Sequence, residues 1–149
     1  MEINFGKIFI ATCNRRIIMP FFTWDPSSLS VSVNEMDQEH QKLIQLMNRL
    51  YDQNAEGEKK EAILSTIVEL ANYTKTHFQH EEAYFDSLQG YSGSETHKVI
   101  HADLLKKLGD FKNQFEQGNG VVGKEFFDFL NLWLRAHIAG IDKKYGEIA

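Results

Sequence analysis

Histidines and carboxylates stand at helical spacings on stripes of this chain that are otherwise apolar, and that pattern most limits how it can fold. His40 lies alone, His77 precedes Glu81 by four residues, His97 precedes His101 by four, and His137 precedes Asp142 by five. Residues four apart on a helix share one face, about 40° apart around the axis. A polar group buried there without a partner costs roughly 2–7 kcal/mol. Four stripes that each carry a donor are therefore stable together only if the donors meet a common partner.

The stripes themselves are clear. Met36, His40, Leu43, Ile44, Met47, Leu50 and Tyr51 trace the first, which Asn34 should cap, with Glu35 and Asp37 favourable in its first turn. A second helix is expected from about Lys59 to Leu88, with Ile63, Ile67, Leu70, Thr74, His77, Phe78, Glu81 and Phe85 inward. Ser94 should cap a third, carrying His97, Ile100, His101, Leu104, Leu105, Leu108, Phe111 and Phe115. The fourth holds Phe126, Phe127, Leu130, Trp133, Leu134, His137, Ile138, Ile141 and Tyr145. No stretch alternates with period two, so no strand is expected. Short connections between long helices give an all-α, antiparallel up-down-up-down four-helix bundle, a fold that builds metal sites in its core from facing helices.

A single histidine on an apolar stripe is more often a satisfied core or boundary residue than a ligand. The two i,i+4 pairs and the shared stripes tip the balance, because each pair lets one helix chelate an ion. Imidazole and carboxylate suit iron among other metals, and five histidines with two carboxylates exceed one first-row ion's needs, which suggests two ions. His80, about 60° off the His77 direction, reads as a boundary or surface residue. Asp142 falls about 140° from His137 on an ideal helix, so spacing alone does not nominate it. Leu43, Phe78, Trp133, Leu134 and Ile138 are core by default, yet each lies close to a candidate ligand and is placed to wall a small dry cavity.

Composition removes other classes. The formal charge is −5 and lysines and arginines form no stripe, which argues against nucleic-acid or anionic-membrane partners. Cys13 is the only cysteine, so neither an intrachain disulfide nor a thiolate metal site is available. No apolar run approaches the ~18 residues of a membrane span. Lys7 interrupts the short apolar stretch before Cys13, so an export leader is not expected and a cytoplasmic location is. Residues 1–18 share no periodicity with the rest and read as a disordered extension or as lying upstream of a true start at Met19. Residues 19–149 form the one domain, opening on an extended arm from Phe21 to Ser32 that Pro26 breaks.

From about Trp24 to Tyr145 the chain resembles the hemerythrin family, specifically single-domain bacteriohemerythrins. The resemblance rests on Asp37-x-x-His40, His77-Phe78-x-x-Glu81-Glu82, His97-x-x-x-His101 and His137-Ile138-x-x-x-Asp142, with Trp24 fitting the arm's aromatic residue. Phe85 and Ser92 depart from the residues frequent there, Met and Pro. The resemblance implies two iron ions (Fe2+/Fe3+) with a bridging oxo or hydroxo group and O2 as ligand. His97, His101 and His137 would fill one iron, His40 and His77 the second, and Glu81 and Asp142 would bridge them. It also implies an O2 pocket lined by Leu43, Phe78, Trp133, Leu134 and Ile138.

The expected function is reversible O2 binding for transport, storage or delivery, without catalysis. The alternatives are O2 or NO sensing, or di-iron oxidase or peroxidase activity on the same scaffold. No Glu-x-x-His occurs among the ligand histidines, unlike ferritin-like oxidases, and His97-x-x-x-His101 lacks the Glu of a metalloprotease helix. A monomer is expected, since no apolar outer stripe stands out.

Overall fold

A computed structural model describes residues 19–148. The expectations for residues 1–18 and for Cys13 lie outside the described residues. The elements are α1 (Pro26–Leu29), α2 (Asn34–Glu56), α3 (Lys60–Ser87), α4 (Ser94–Gln117), α5 (Lys124–His137), a π-helical turn (Ile138–Asp142) and α6 (Lys143–Gly146). The four long helices pack antiparallel through short connections, as the stripes predict. Leu43, Met47 and Leu50 of α2 meet Ile63, Ile67 and Leu70 of α3, Leu108 of α4 and Leu130 of α5 in a continuous core. No helix among the described residues is long and apolar enough to cross a membrane.

Two expected caps are not caps. Val33 and Gly93 occupy the N-cap positions, and neither Asn34 nor Ser94 caps through its side chain. Asp37 instead reaches back from the first turn of α2, accepting from the Val31 amide at 2.8 Å and the Ser30 hydroxyl at 2.6 Å. Ser94 donates to Asp86 across the α3–α4 turn at 2.6 Å. Both side chains stabilise the approach to a helix, with the first-turn acids still favourably placed at a positive helix end. Gly57 closes α2 in the left-handed region at φ 68°, where a residue without Cβ carries no steric penalty. At the end of α4, Lys60 donates to the carbonyls of Glu116 and Gly118, at 2.6 and 2.9 Å. A cation there satisfies carbonyls that have no partner within their own helix.

The arm is not wholly extended. Asp25 accepts from the amide and hydroxyl of Ser27, and Pro26 has a preset φ, so one turn of helix forms where a break was expected. The arm is fixed by Asn48, whose side-chain amide pairs with both the N–H and the C=O of buried Phe22. Asn54 does the same for Val122 ahead of α5. Phe21 stacks on Tyr51 and meets Phe127 edge-on.

One apolar groove opens on the outer surface of the described residues. Ile100, Leu104, Phe129, Leu132, Trp133 and Ile141 line a groove between α4 and α5, and Leu132 is 70% exposed.

Candidate metal centre

Antiparallel packing carries four distant stretches of sequence to one end of the bundle. His40 lies early in α2, His77 and Glu81 late in α3, His97 and His101 early in α4, and His137 ends α5. Alternating chain direction superimposes those levels. Asp142 joins them because the helix widens into a π-helical turn from Ile138 to Asp142. With i→i+5 bonding, a residue five positions on returns over the one it started from. All seven candidate donors are buried, the most accessible being His137 at 5%.

Their atoms form two overlapping sets. Glu81, His97, His101, His137 and Asp142 each place one donor atom within 4.8 Å of the others, and His40, His77 and Glu81 do so separately. Asp142 turns Oδ1 towards His137 Nε2 at 2.9 Å and His97 Nε2 at 3.0 Å, and Oδ2 towards His40 Nε2 at 3.2 Å. Glu81 Oε2 lies between His101 at 3.3 Å and His77 at 3.5 Å. Each carboxylate thus faces both sets. The Nε2 atom of His137 stands 3.3 Å from that of His97 and 3.2 Å from that of His101.

This arrangement fits a pair of metal ions. Both ring nitrogens of His40, Oε2 of Glu81 and both oxygens of Asp142 are buried, and although imidazole and carboxylate face each other closely, none of these atoms forms a well-aligned hydrogen bond. Leaving so many polar atoms unpaired at one place is costly unless cations complete them. Nitrogen and oxygen donors of this kind suit first-row divalent metals. Burial and the nearby Asp142 charge push Glu81 up, yet His77, His101 and His40 hold it below the usual carboxylate range. Burial likewise opposes ionisation of Asp142, and His137, His40 and His97 overcome it.

Outer partners orient the rings. His77 Nδ1 lies 2.7 Å from Glu39, His101 Nδ1 2.9 Å from Glu82, and His97 Nδ1 2.9 Å from the Tyr91 hydroxyl. An ionised carboxylate only accepts, so the first two histidines carry their proton on Nδ1 and turn an Nε2 lone pair inward. Tyr145, fully buried, donates to Glu81 Oε1 at 2.5 Å. Burial, then the charges of Glu81 and Asp142, push its phenol far up and keep it protonated.

Sequence reading places Tyr145 in the inward set but assigns it no partner, and it singles out neither Glu39 nor Tyr91. Of the outer partners the sequence marks only Glu82, which closes the His77-Phe78-x-x-Glu81-Glu82 motif. His80 is exposed, as expected, but is not idle: its Nδ1 is 2.6 Å from the second oxygen of Glu39.

Leu43, Phe78, Trp133, Leu134 and Ile138 are all buried. Phe78 stacks on His101 with ring centroids 3.7 Å apart and lies 5.8 Å from His77 and 6.0 Å from Trp133. Phe85 lies almost parallel to His97 at 4.8 Å, so this departure from the frequent Met adds a flat ring against a donor.

Residues 31–149 match the family model described as the hemerythrin HHE cation binding domain. A bacteriohemerythrin of Pseudomonas aeruginosa is 31% identical over 127 residues, covering 85% of this chain and 80% of that protein. Myohemerythrin-1 of Phascolopsis gouldii is 33% identical over 125 residues, covering 83% and 91%. A solved structure of wild-type hemerythrin superimposes with a TM-score of 0.77 at 28% identity, covering 85% of this chain and 96% of that one. With a buried cluster of histidines and carboxylates built for two metal ions on that fold, the chain belongs to the hemerythrin family.

Proposed function

We propose that the protein binds O2 reversibly at two irons held by His40, His77, Glu81, His97, His101, His137 and Asp142. The observation that carries this reading is the uneven division of histidines around two shared carboxylates. Three imidazoles stand in one set and two in the other, with Glu81 in both and Asp142 also facing His40, so the second set would offer its ion fewer protein donors. When bound, the two ferrous irons supply the open position and the electrons that O2 binding requires. The chain supplies the surroundings. Phe78, Trp133, Leu134, Ile138 and Leu43 present hydrocarbon beside the donors and keep water out, which slows loss of the bound ligand. Tyr145 holds one oxygen of Glu81 in place through its O–H.

Release is favoured over turnover by the same features. Two carboxylates against five imidazoles leave less negative charge to stabilise high oxidation states than a carboxylate-rich site provides. The apolar wall offers a substrate no polar group to bind. The relatives, bacteriohemerythrins and a myohemerythrin, agree with this reading.

The test is to reduce the iron-loaded protein without air and then cycle O2 while recording visible absorption and O2 uptake. A band that appears with O2 and vanishes on its removal, at one O2 per two irons, is expected. Continuous O2 consumption with reductant would favour an oxidase or peroxidase. No O2-dependent band from an iron-replete sample would refute the proposal.

A further inference from the structure

A histidine that holds metal through Nε2 depends on whatever holds its Nδ1, because that contact sets both ring orientation and tautomer. For His77 the contact is Glu39 Oε2 at 2.7 Å. The same carboxylate uses its other oxygen to accept from Nδ1 of His80 at 2.6 Å. The three side chains run from the bundle interior to solvent: His77 is 1% exposed, Glu39 20% and His80 54%. Burial opposes the charge on Glu39, and the hydrogen bonds from His77 and His80 outweigh it.

His80 thus does something a surface histidine need not do. A glutamate reaching from α2 to α3 has several torsions to immobilise, and one hydrogen bond at the solvent boundary fixes them poorly. A second donor on the opposite oxygen removes the remaining freedom. His77 and His80 are neighbours on one helix, so they grip the carboxylate as a fork. Glu39 then stays aligned with Nδ1 of His77, and Nε2 of that ring stays aimed towards Glu81 Oε2, 3.5 Å away.

We propose that His80 is a positioning residue: by clamping Glu39 it locks the ring of His77, and so sets how firmly the His40–His77 half of the site retains its metal. This rests on the reading of His77 as a ligand. The set built on His97, His101 and His137 has its own outer partners, Tyr91 and Glu82, and meets the clamp only indirectly, through the shared Glu81.

The experiment is anaerobic release of ferrous iron from the loaded protein to a chelator, comparing His80→Ala, His80→Gln and the parent. Direct outer partners of ligands are worth about 10–100-fold in metal affinity. A residue one step further out should sit at the lower edge, so His80→Ala should release one of its two irons up to about tenfold faster. His80→Gln, which restores an N–H donor, should recover most of the difference. On the metal-free protein, nitrogen NMR of the imidazoles should show His77 as the Nδ1–H tautomer in the parent and as a mixture in His80→Ala. Unchanged release together with an unchanged His77 signal would overturn the proposal. So would equal acceleration of both irons, or a drop in the metal-free melting temperature large enough to account for the release. His77→Ala separates the two levels: if that variant keeps both irons, the ligand reading fails, and otherwise a null result at His80 condemns the clamp alone.

Discussion

Single side chains at the site divide into donors, ring supports and hydrocarbon wall, and each kind should fail differently. His101→Ala removes a donor that faces Glu81 and stacks on Phe78. It should leave fewer than two irons per chain by metal analysis, and a variant with two irons and normal O2 binding would disprove the assignment. Ile138→Ala removes wall without touching a donor. Ile138 is 1% exposed, so the cavity costs about 2–5 kcal/mol of stability. Iron should stay while water gains access, so oxidation of the O2-loaded protein to an inactive form should quicken. At this scale five histidines and Glu81 were legible because stripe and spacing agreed. Glu39 and Tyr91 were not, because their roles lie in hydrogen bonds between elements.

Among the elements, the π-helical turn is the one on which the site depends most. Without it, Asp142 would point about 140° from His137 and miss the cluster. Gly140 lies in the turn with open space around it. Deleting Gly140 should relax the turn to α-helix with the carboxylate four residues from His137, still on the site's face, and two metals should be retained. Inserting an alanine there should swing the carboxylate away and lower metal content. The opposite result in either variant would show that the turn is not what aims Asp142. A second contact is equally local. A Cβ on Gly146 would fall 1.8 Å from the Val31 carbonyl oxygen, so Gly146→Ala must push the arm off α6. Overpacking of this kind costs about 1–3 kcal/mol, read as a lower melting temperature. The five-residue step from His137 to Asp142, set beside the family's motif, points to a distortion near the helix end, whereas the backbone approach at Gly146 leaves no periodic trace.

The whole molecule, free of metal, holds a cluster of opposed charges, and its stability should follow pH accordingly. Asp142 and Glu81 push His40 up to about 9, although burial alone would lower it. A raised folded value means the contribution is complete below the unfolded value of about 6.5 and is lost as pH rises through about 9. Glu81 and Asp142 are held low, so their contribution is present above about 4 and fades as pH falls through their folded values. Urea unfolding of metal-free protein should therefore show greatest stability near pH 5–6.5 and a decline towards pH 9. A flat profile between pH 6.5 and 9.5 would contradict the His40 contribution. Metal must displace the His40 proton, so loading at pH 7 should also release acid into a weakly buffered solution.

Periodicity decided a good deal unaided: four helices, which residues face inward, and which polar residues share that face. Those follow from the chain alone because 3.6 residues per turn map sequence directly onto a helix surface. The family's motifs added Asp142, which periodicity alone would have set aside. Tertiary structure decided the rest. It brought four helix ends to one level, widened the helix at Ile138–Asp142, and closed the outer contacts through Glu39, Tyr91 and Tyr145. Those contacts join residues far apart in sequence, and a spacing rule reaches no further than the helix on which it is read.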